Sequence, residues 1–256
     1  MSPAGPSPEG STGRRPRPEG PTGRRPRPVR PSLDEERRLW GAGHRWVAGL
    51  DEVGRGAWAG PVSVGVAVVE PGARPSSMPA WLRDSKQLTE RRREAVFEEV
   101  ARWCPDGAVG HATAAECDRW GMTAAVRLAA RRALALLEVL PSALLVDGPF
   151  DLVRAAGHPT GQPVDQPVDS GPDLLGATVV PLVGADARCA SVAAASVLAK
   201  VVRDRLMRQE AEHFPFYGFD RNKGYPSSTH RTALQGYGLS AIHRRSWSFV
   251  GDLPWR

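Results

Sequence analysis

Two apolar runs dominate the first third of the chain, Trp46–Leu50 and Val62–Val69, and a polar, glycine-rich stretch, Asp51–Gly60, joins them. Short runs rich in valine and bounded by turn residues predict two strands, here meeting as a hairpin. Ahead of them, Ser32 with Glu35 predicts a capped short helix through Leu39. Beyond them, Thr89–Trp103 repeats its apolar positions at helical spacing (Val96, Val100, Trp103), and Ala108–Ala112 predicts a third strand. Met122–Leu140 is rich in alanine and leucine, with Arg127, Arg131 and Arg132 marking a wet side. It predicts a helix stopped by Pro141. Ala143–Val146 and Thr178–Val183 are apolar strands that lead into Asp147 and Asp186. Ala190–Glu210 is the longest helix, small and apolar at first, then basic at Lys200, Arg203, Arg205 and Arg208. Pro226 and Ser227 open a last helix towards Leu234. A hairpin followed by alternating strands and helices predicts an α/β fold: a mixed β-sheet flanked by helices, with a helical C-terminal part.

Composition adds two constraints. The 256 residues are 41% hydrophobic, enough for one sizeable core or two small ones. No apolar run approaches the roughly 20 residues of a membrane span, and no secretory leader is evident, so a cytoplasmic protein without membrane association is expected. Cys104, Cys117 and Cys189 are an odd set without close spacing, which argues against a disulfide framework or a zinc knuckle.

Charge is unevenly spread. Residues 1–32 carry seven arginines against two glutamates, a net of +5 in a chain whose total is +6. This segment repeats PEGSTGRRPR as PEGPTGRRPR, and it holds too little apolar surface to offset the entropy of ordering. It is expected to be a disordered basic tail, acting either as a salt-sensitive phosphate-binding arm or as an inert solubilising extension. Residues 33–256 form the expected folded domain. Within it, 155–173, with its duplicated QPVD, reads as a mobile loop insertion.

The candidate chemistry lies in the acids at strand ends: Asp51 and Glu52 after Leu50, Asp147 after Val146, and Asp186 just beyond Val183. One such acid commonly caps a turn, whereas several together repel unless something positive sits among them. Hard carboxylate oxygens suit Mg²⁺ or Mn²⁺, and a pair of such ions can grip both sides of a phosphodiester. Adjacent strand residues face opposite ways, so Asp51 and Glu52 cannot both face one site in an ideal pleat, and the strand is expected to break at Glu52. Asp204, between Arg203 and Arg205, is expected in a helix-surface ion pair. Lys200 and Lys223 are open between phosphate contact and a structural role. The six histidines show no metal-binding spacing and are given no role, and Trp58 is read as a packing residue.

The runs GLDEVGRGAWAGPV, DSKQLTERRR, LLVDG, GADARCASVAAASVLAKVVRDRLM and NKGYPSSTH occur in this order between about residues 45 and 250. Together they resemble ribonuclease HII, the type 2 ribonuclease H family. The resemblance implies an RNase H-like fold and hydrolysis of the RNA strand of RNA–DNA hybrids. It also implies nicking of duplex DNA 5′ to a single embedded ribonucleotide, with two divalent ions, Mg²⁺ or Mn²⁺, held by Asp51, Glu52, Asp147 and Asp186. It assigns ribonucleotide recognition to Gly54, Arg55 and Gly56, with Arg55 on a phosphate, and to Tyr225, packed on a sugar. It assigns backbone phosphate contact to Lys86. Pro149 stands where the family commonly has asparagine, so no contact is carried to it. The expected partners are RNA–DNA hybrid and ribonucleotide-containing duplex DNA, bound by a monomer. The alternatives are another nuclease of the same superfamily acting on DNA, which would lack the glycine–arginine–glycine and KGYP elements, and a non-catalytic nucleic-acid-binding module. The related ribonuclease HIII carries an extra folded amino-terminal domain, for which residues 1–32 are too short and polar.

Overall fold

The computed structural model describes residues 30–74, 76–82, 88–149, 151–152 and 176–253. Most of the basic tail, the 155–173 loop and Lys86 lie outside the described residues. The folded part begins earlier than expected, because Ser32 forms a bridge with Cys189, donating its N–H to Arg188 O at 2.8 Å and accepting from Ala190 N at 2.9 Å.

Five strands form one sheet: β1 (Val47–Val53), β2 (Val62–Val69), β3 (Asp106–Ala112), β4 (Ala143–Asp147) and β5 (Thr178–Leu182), in the order β3-β2-β1-β4-β5. β1–β2 and β2–β3 are antiparallel, whereas β1–β4 and β4–β5 are parallel. All eight residues of β2 are buried, which explains its unbroken apolar run: a strand covered on both faces has no wet side to encode.

The helices are α1 (Asp34–Gly41), α2 (Glu90–Trp103), α3 (Ala114–Trp120), α4 (Met122–Ala135), α5 (Ala190–His213), α6 (Phe219–Asn222) and α7 (Ser228–Tyr237). α4 covers one face of the sheet, packing with Ala48, Leu50, Val64, Leu144 and Val146. α5 covers the other, where Val192 packs with Val47, Ala143 and Leu145. Glycine sets how closely α5 can lie. A Cβ at Gly49 would stand 2.2 Å from the α5 backbone at Ser191, and one at Gly65 would stand 2.3 Å from Ala195 O. A third cluster, around Phe219, Leu234 and Phe249, builds the C-terminal part beside the sheet edge.

Several expectations require correction. α1 has no capping box: its N-cap is Leu33, and the Ser32 hydroxyl bonds Asp34 instead. The box occurs at α3, a helix the periodicity did not reveal, where Thr113 and Glu116 bond reciprocally. α4 stops at Ala135, not Leu140, because the Asp106 carboxylate accepts the backbone N–H groups of Glu138 and Val139 at 2.7 and 2.9 Å and turns the chain. The first strand does not break at Glu52: β1 stays paired with β2 through Val53↔Ser63. The three cysteines are free and buried.

Candidate active site

Because β1, β4 and β5 run parallel, their C-terminal ends lie at one edge of the sheet, where ligands gather in open α/β sheets. The β1–β4 ladder ends at Leu50↔Val146, so Asp51 and Asp147 each sit one residue past the last pair. Asp147 is opposite Leu182 of β5, and four residues on comes Asp186 in a 3-10 turn, Ala185–Ala187. Asp147 fastens that turn directly, its Oδ1 accepting the Ala185 N–H at 2.8 Å. Gly148 (φ 102°) and Gly184 (φ 68°) supply the left-handed backbone on either side.

The pleat assigns faces. Asp51 follows Val47 and Gly49 onto the α5 side, as Asp147 follows Ala143 and Leu145, and Ala185 next to Asp186 packs in the same cluster. Asp51 and Asp186 are 3% and 6% exposed, unusually dry for acids. Glu52 follows Ala48 and Leu50 onto the opposite face, where its Oε1 accepts from Arg55 Nη1 at 3.2 Å. Among the described residues no three His, Cys, Asp or Glu side chains stand in a ready metal-ligating group. The four acids are gathered to an edge, not onto a point, in keeping with the mutual repulsion of carboxylates. Their hard carboxylate oxygens are of the kind that fits Mg²⁺ or Mn²⁺.

Beside this edge, Gly54–Pro61 forms a loop locked from the C-terminal part of the chain. Gly54 (φ 88°) donates its N–H to Tyr225 Oη at 3.1 Å. Its carbonyl accepts from Arg244 Nη2 at 2.7 Å, and the Arg55 carbonyl accepts from Arg244 Nη1 at 2.8 Å. Arg203 braces the far side of the loop, donating to Pro61 O (2.8 Å), Ala59 O (3.3 Å) and Lys223 O (3.0 Å). Both guanidinium groups are fully buried, and carbonyl partners are what makes such burial tolerable. The Arg203 guanidinium also lies 5.5 Å from the Tyr225 ring centroid, over its face. A Cβ at Gly54 would strike Arg203 Nε at 2.3 Å, whereas one at exposed Gly56 would meet nothing nearer than Tyr225 at 3.9 Å.

The sequence-predicted residues therefore divide. Asp51 and Asp147 share one face and one edge, and Asp186 follows in the turn that Asp147 fastens. Gly54, Arg55, Gly56 and Tyr225 form one cluster next to it, and Glu52 joins that cluster through Arg55. Asp204 is buried, not on the surface, and pairs with Lys200 (2.5 Å) and Arg93 (3.7 Å) instead of its flanking arginines. Lys200 is thereby committed to Asp204. Lys223 is buried and directed at Asp220 O and Glu90. Trp58 stacks on Phe249 at 4.3 Å, a packing role.

Arg203 and Arg244 were missed as supports of the loop. Arg203 had a signal, since it continues the four-residue spacing of buried Ala195 and Ala199 towards Met207. Arg244 had none, because it sits outside any periodic element.

A family model described as Ribonuclease HII matches residues 48–250. Ribonuclease HII of Streptomyces avermitilis is 43% identical over 215 residues, covering 84% of this chain and 82% of that protein. Ribonuclease HII of Thermus thermophilus is 42% identical over 213 residues, covering 82% and 90%. The crystal structure of ribonuclease H2 from Pyrococcus horikoshii OT3 matches with a TM-score of 0.64 at 29% identity, covering 81% of this chain and 96% of that one. The five-stranded mixed sheet with flanking helices is thus the RNase H-like fold that the sequence led us to expect.

Proposed function

The chain belongs to the ribonuclease HII family, so it is a ribonuclease H, a metal-dependent endonuclease acting on RNA–DNA hybrids, and from that premise we propose a finer reading of its site. The enzyme also nicks duplex DNA on the 5′ side of a single embedded ribonucleotide, leaving a 3′-hydroxyl and a 5′-phosphate. It thereby serves ribonucleotide removal during DNA replication and repair, as a cytoplasmic monomer.

In this reading Asp51, Glu52, Asp147 and Asp186 hold two divalent ions, Mg²⁺ or Mn²⁺. Such ions, when bound, activate the attacking water and stabilise the departing 3′ oxygen. Everything else falls to the protein's own groups. Asp51 and Asp186 offer carboxylates already stripped of most of their water, and Asp147 fixes the turn that presents Asp186. Glu52 must let go of Arg55 and swing round from the opposite face of the strand, which frees the guanidinium for a neighbouring phosphate. Lys86 holds backbone phosphate.

Selection of the ribonucleotide rests with Gly54–Gly56 and Tyr225. The 2′-OH alone distinguishes RNA from DNA at a given step, and it both donates and accepts. Tyr225 Oη already accepts from Gly54 and keeps its own hydrogen to give, so a hydroxyl arriving beside it finds a donor aimed and held. Gly56 leaves open space through which a sugar can approach the backbone.

The observation that carries this reading is the Tyr225–Gly54 contact, beside the strand end that carries Asp51. The test is an end-labelled duplex containing one ribonucleotide, incubated with enzyme and Mg²⁺ or Mn²⁺ beside its all-DNA twin. A single nick 5′ to the ribonucleotide and an intact twin are expected. Equal cutting of both strands' all-DNA form, or no nick at all, would refute the reading.

A further inference from the structure

Behind the Tyr225–Gly54 contact lies a pair of buried histidines. His230 and His243 are 0% and 1% exposed, and their Nε2 atoms are 2.9 Å apart. Hydrogen bonding at the two outer nitrogens determines where the protons are. His243 Nδ1 accepts the backbone N–H of Ser240 at 2.9 Å, with the Ser240 hydroxyl 2.7 Å away. A backbone N–H can only donate, so that nitrogen bears a lone pair and the ring proton is on Nε2. His243 Nε2–H then donates to His230 Nε2, which leaves the proton of His230 on Nδ1. That nitrogen lies 3.0 Å from the Tyr225 carbonyl, which can only accept. The chain runs one way, from Ser240 N–H through two neutral rings to Tyr225 C=O. Burial holds both rings uncharged, pulling His243 down to about 3 and His230 below its ordinary value.

The far end of this relay also touches the loop. Arg244, next to His243, donates its backbone N–H to Trp58 O at 2.9 Å, while its side chain holds the Gly54 and Arg55 carbonyls. One ring therefore grips the main chain of Tyr225, and the other sits beside the residue that grips the main chain of Gly54. Both partners of the 3.1 Å contact are fixed from the same buried pair.

We propose that His230 and His243 are positioning residues for ribonucleotide selection, setting the depth of Tyr225 against the Gly54–Gly56 loop through two opposite neutral tautomers. This rests on the reading that Tyr225 and the loop recognise the 2′-OH. A purely structural alternative exists, since both rings also pack among Tyr217 and Phe219. The two roles make different demands: packing needs only volume, whereas positioning needs a donor facing Tyr225 C=O.

The test compares His230→Asn, whose amide can occupy the place of Nδ1–H, with His230→Leu, which keeps bulk and loses the donor. Steady-state kinetics are measured on the single-ribonucleotide duplex and on a uniform RNA–DNA hybrid, with thermal unfolding to follow the fold. Loss of one positioning hydrogen bond predicts that His230→Leu falls about tenfold in kcat/KM on the single-ribonucleotide duplex relative to the hybrid, while His230→Asn stays within about threefold of wild type. Nitrogen-15 NMR of the wild-type imidazoles should show one Nδ1–H and one Nε2–H tautomer, with the His243 ring still neutral at about pH 5. Equal losses in the two variants, no loss in either, or matching tautomers would overturn the proposal while leaving the functional reading intact. A wild type indifferent to the ribonucleotide would overturn the functional reading itself, and the proposal with it.

Discussion

The hydroxyl of Tyr225 accepts a 3.1 Å hydrogen bond from the backbone N–H of Gly54, joining residues 171 positions apart in the chain. Tyr225→Phe removes the hydroxyl and leaves the ring, including its place under Arg203. One lost hydrogen bond to the reacting sugar costs about 1–2 kcal/mol, so nicking at a single ribonucleotide should slow by about tenfold. Rates on the labelled duplex check this, and an unchanged rate would remove Tyr225 from recognition.

Asp51→Asn should abolish nearly all cleavage while leaving duplex binding measurable by gel shift. Metal binding gives a second readout that needs no turnover. A ligand that binds only the folded state adds about 2.7 kcal/mol of stability at about 100 times its Kd. Mg²⁺ or Mn²⁺ should accordingly raise the melting temperature of the wild type, and much less that of the variant. Equal shifts would show that Asp51 does not hold the ion.

The two glycines flanking Arg55 should fail in different ways. At Gly54, φ is +88° and a Cβ would overlap Arg203 and Pro61 O, so Gly54→Ala should lose about 3 kcal/mol in urea unfolding. At Gly56 the protein has room, so Gly56→Ala should unfold like the wild type and yet cut single-ribonucleotide duplex more slowly. A stable, fully active Gly56→Ala would mean that no sugar approaches there.

Stability should fall on acidification because of the histidine pair. His243 is held neutral down to about 3 by burial first, then by His230 and Arg245, against Ser240, which acts the other way. An unfolded imidazole takes up its proton near about 6.5, so the unfolded chain binds more protons between these values. This contribution is complete above about pH 6.5 and is lost as the pH drops, by about 2 kcal/mol on reaching about pH 5. Urea midpoints for wild type and His243→Asn should converge over that interval. A constant gap between them would show that His243 is already charged.

Much of this site was legible in the sequence, for physical reasons. Strand ends reveal themselves because an apolar run must stop where a carboxylate begins, which located Asp51, Asp147 and Asp186. Glycines that permit close backbone approach are visible as letters, which located Gly54 and Gly56. What escaped was decided by tertiary contacts. The Asp106 carboxylate ended α4 from 32 residues away in the chain, and β2 kept Glu52 in a strand that the glycines suggested would break. Arg244 and the two histidines act through backbone carbonyls and through each other, and such partners leave no spacing to read. Asp204 looked like a surface acid only because its neighbours were arginines; the partners that matter lie one helical turn back and on α2.

The grip of Arg203 and Arg244 on the Gly54–Pro61 loop has a temporal meaning. During synthesis the ribosome delivers every acid of the edge well before it delivers residue 244. A nascent chain folded as far as α5 would own its carboxylates and Arg203 but lack Tyr225 and Arg244, which hold the Gly54 end of the loop. On the proposed reading of that loop, discrimination between the two kinds of sugar is therefore the last property the molecule acquires.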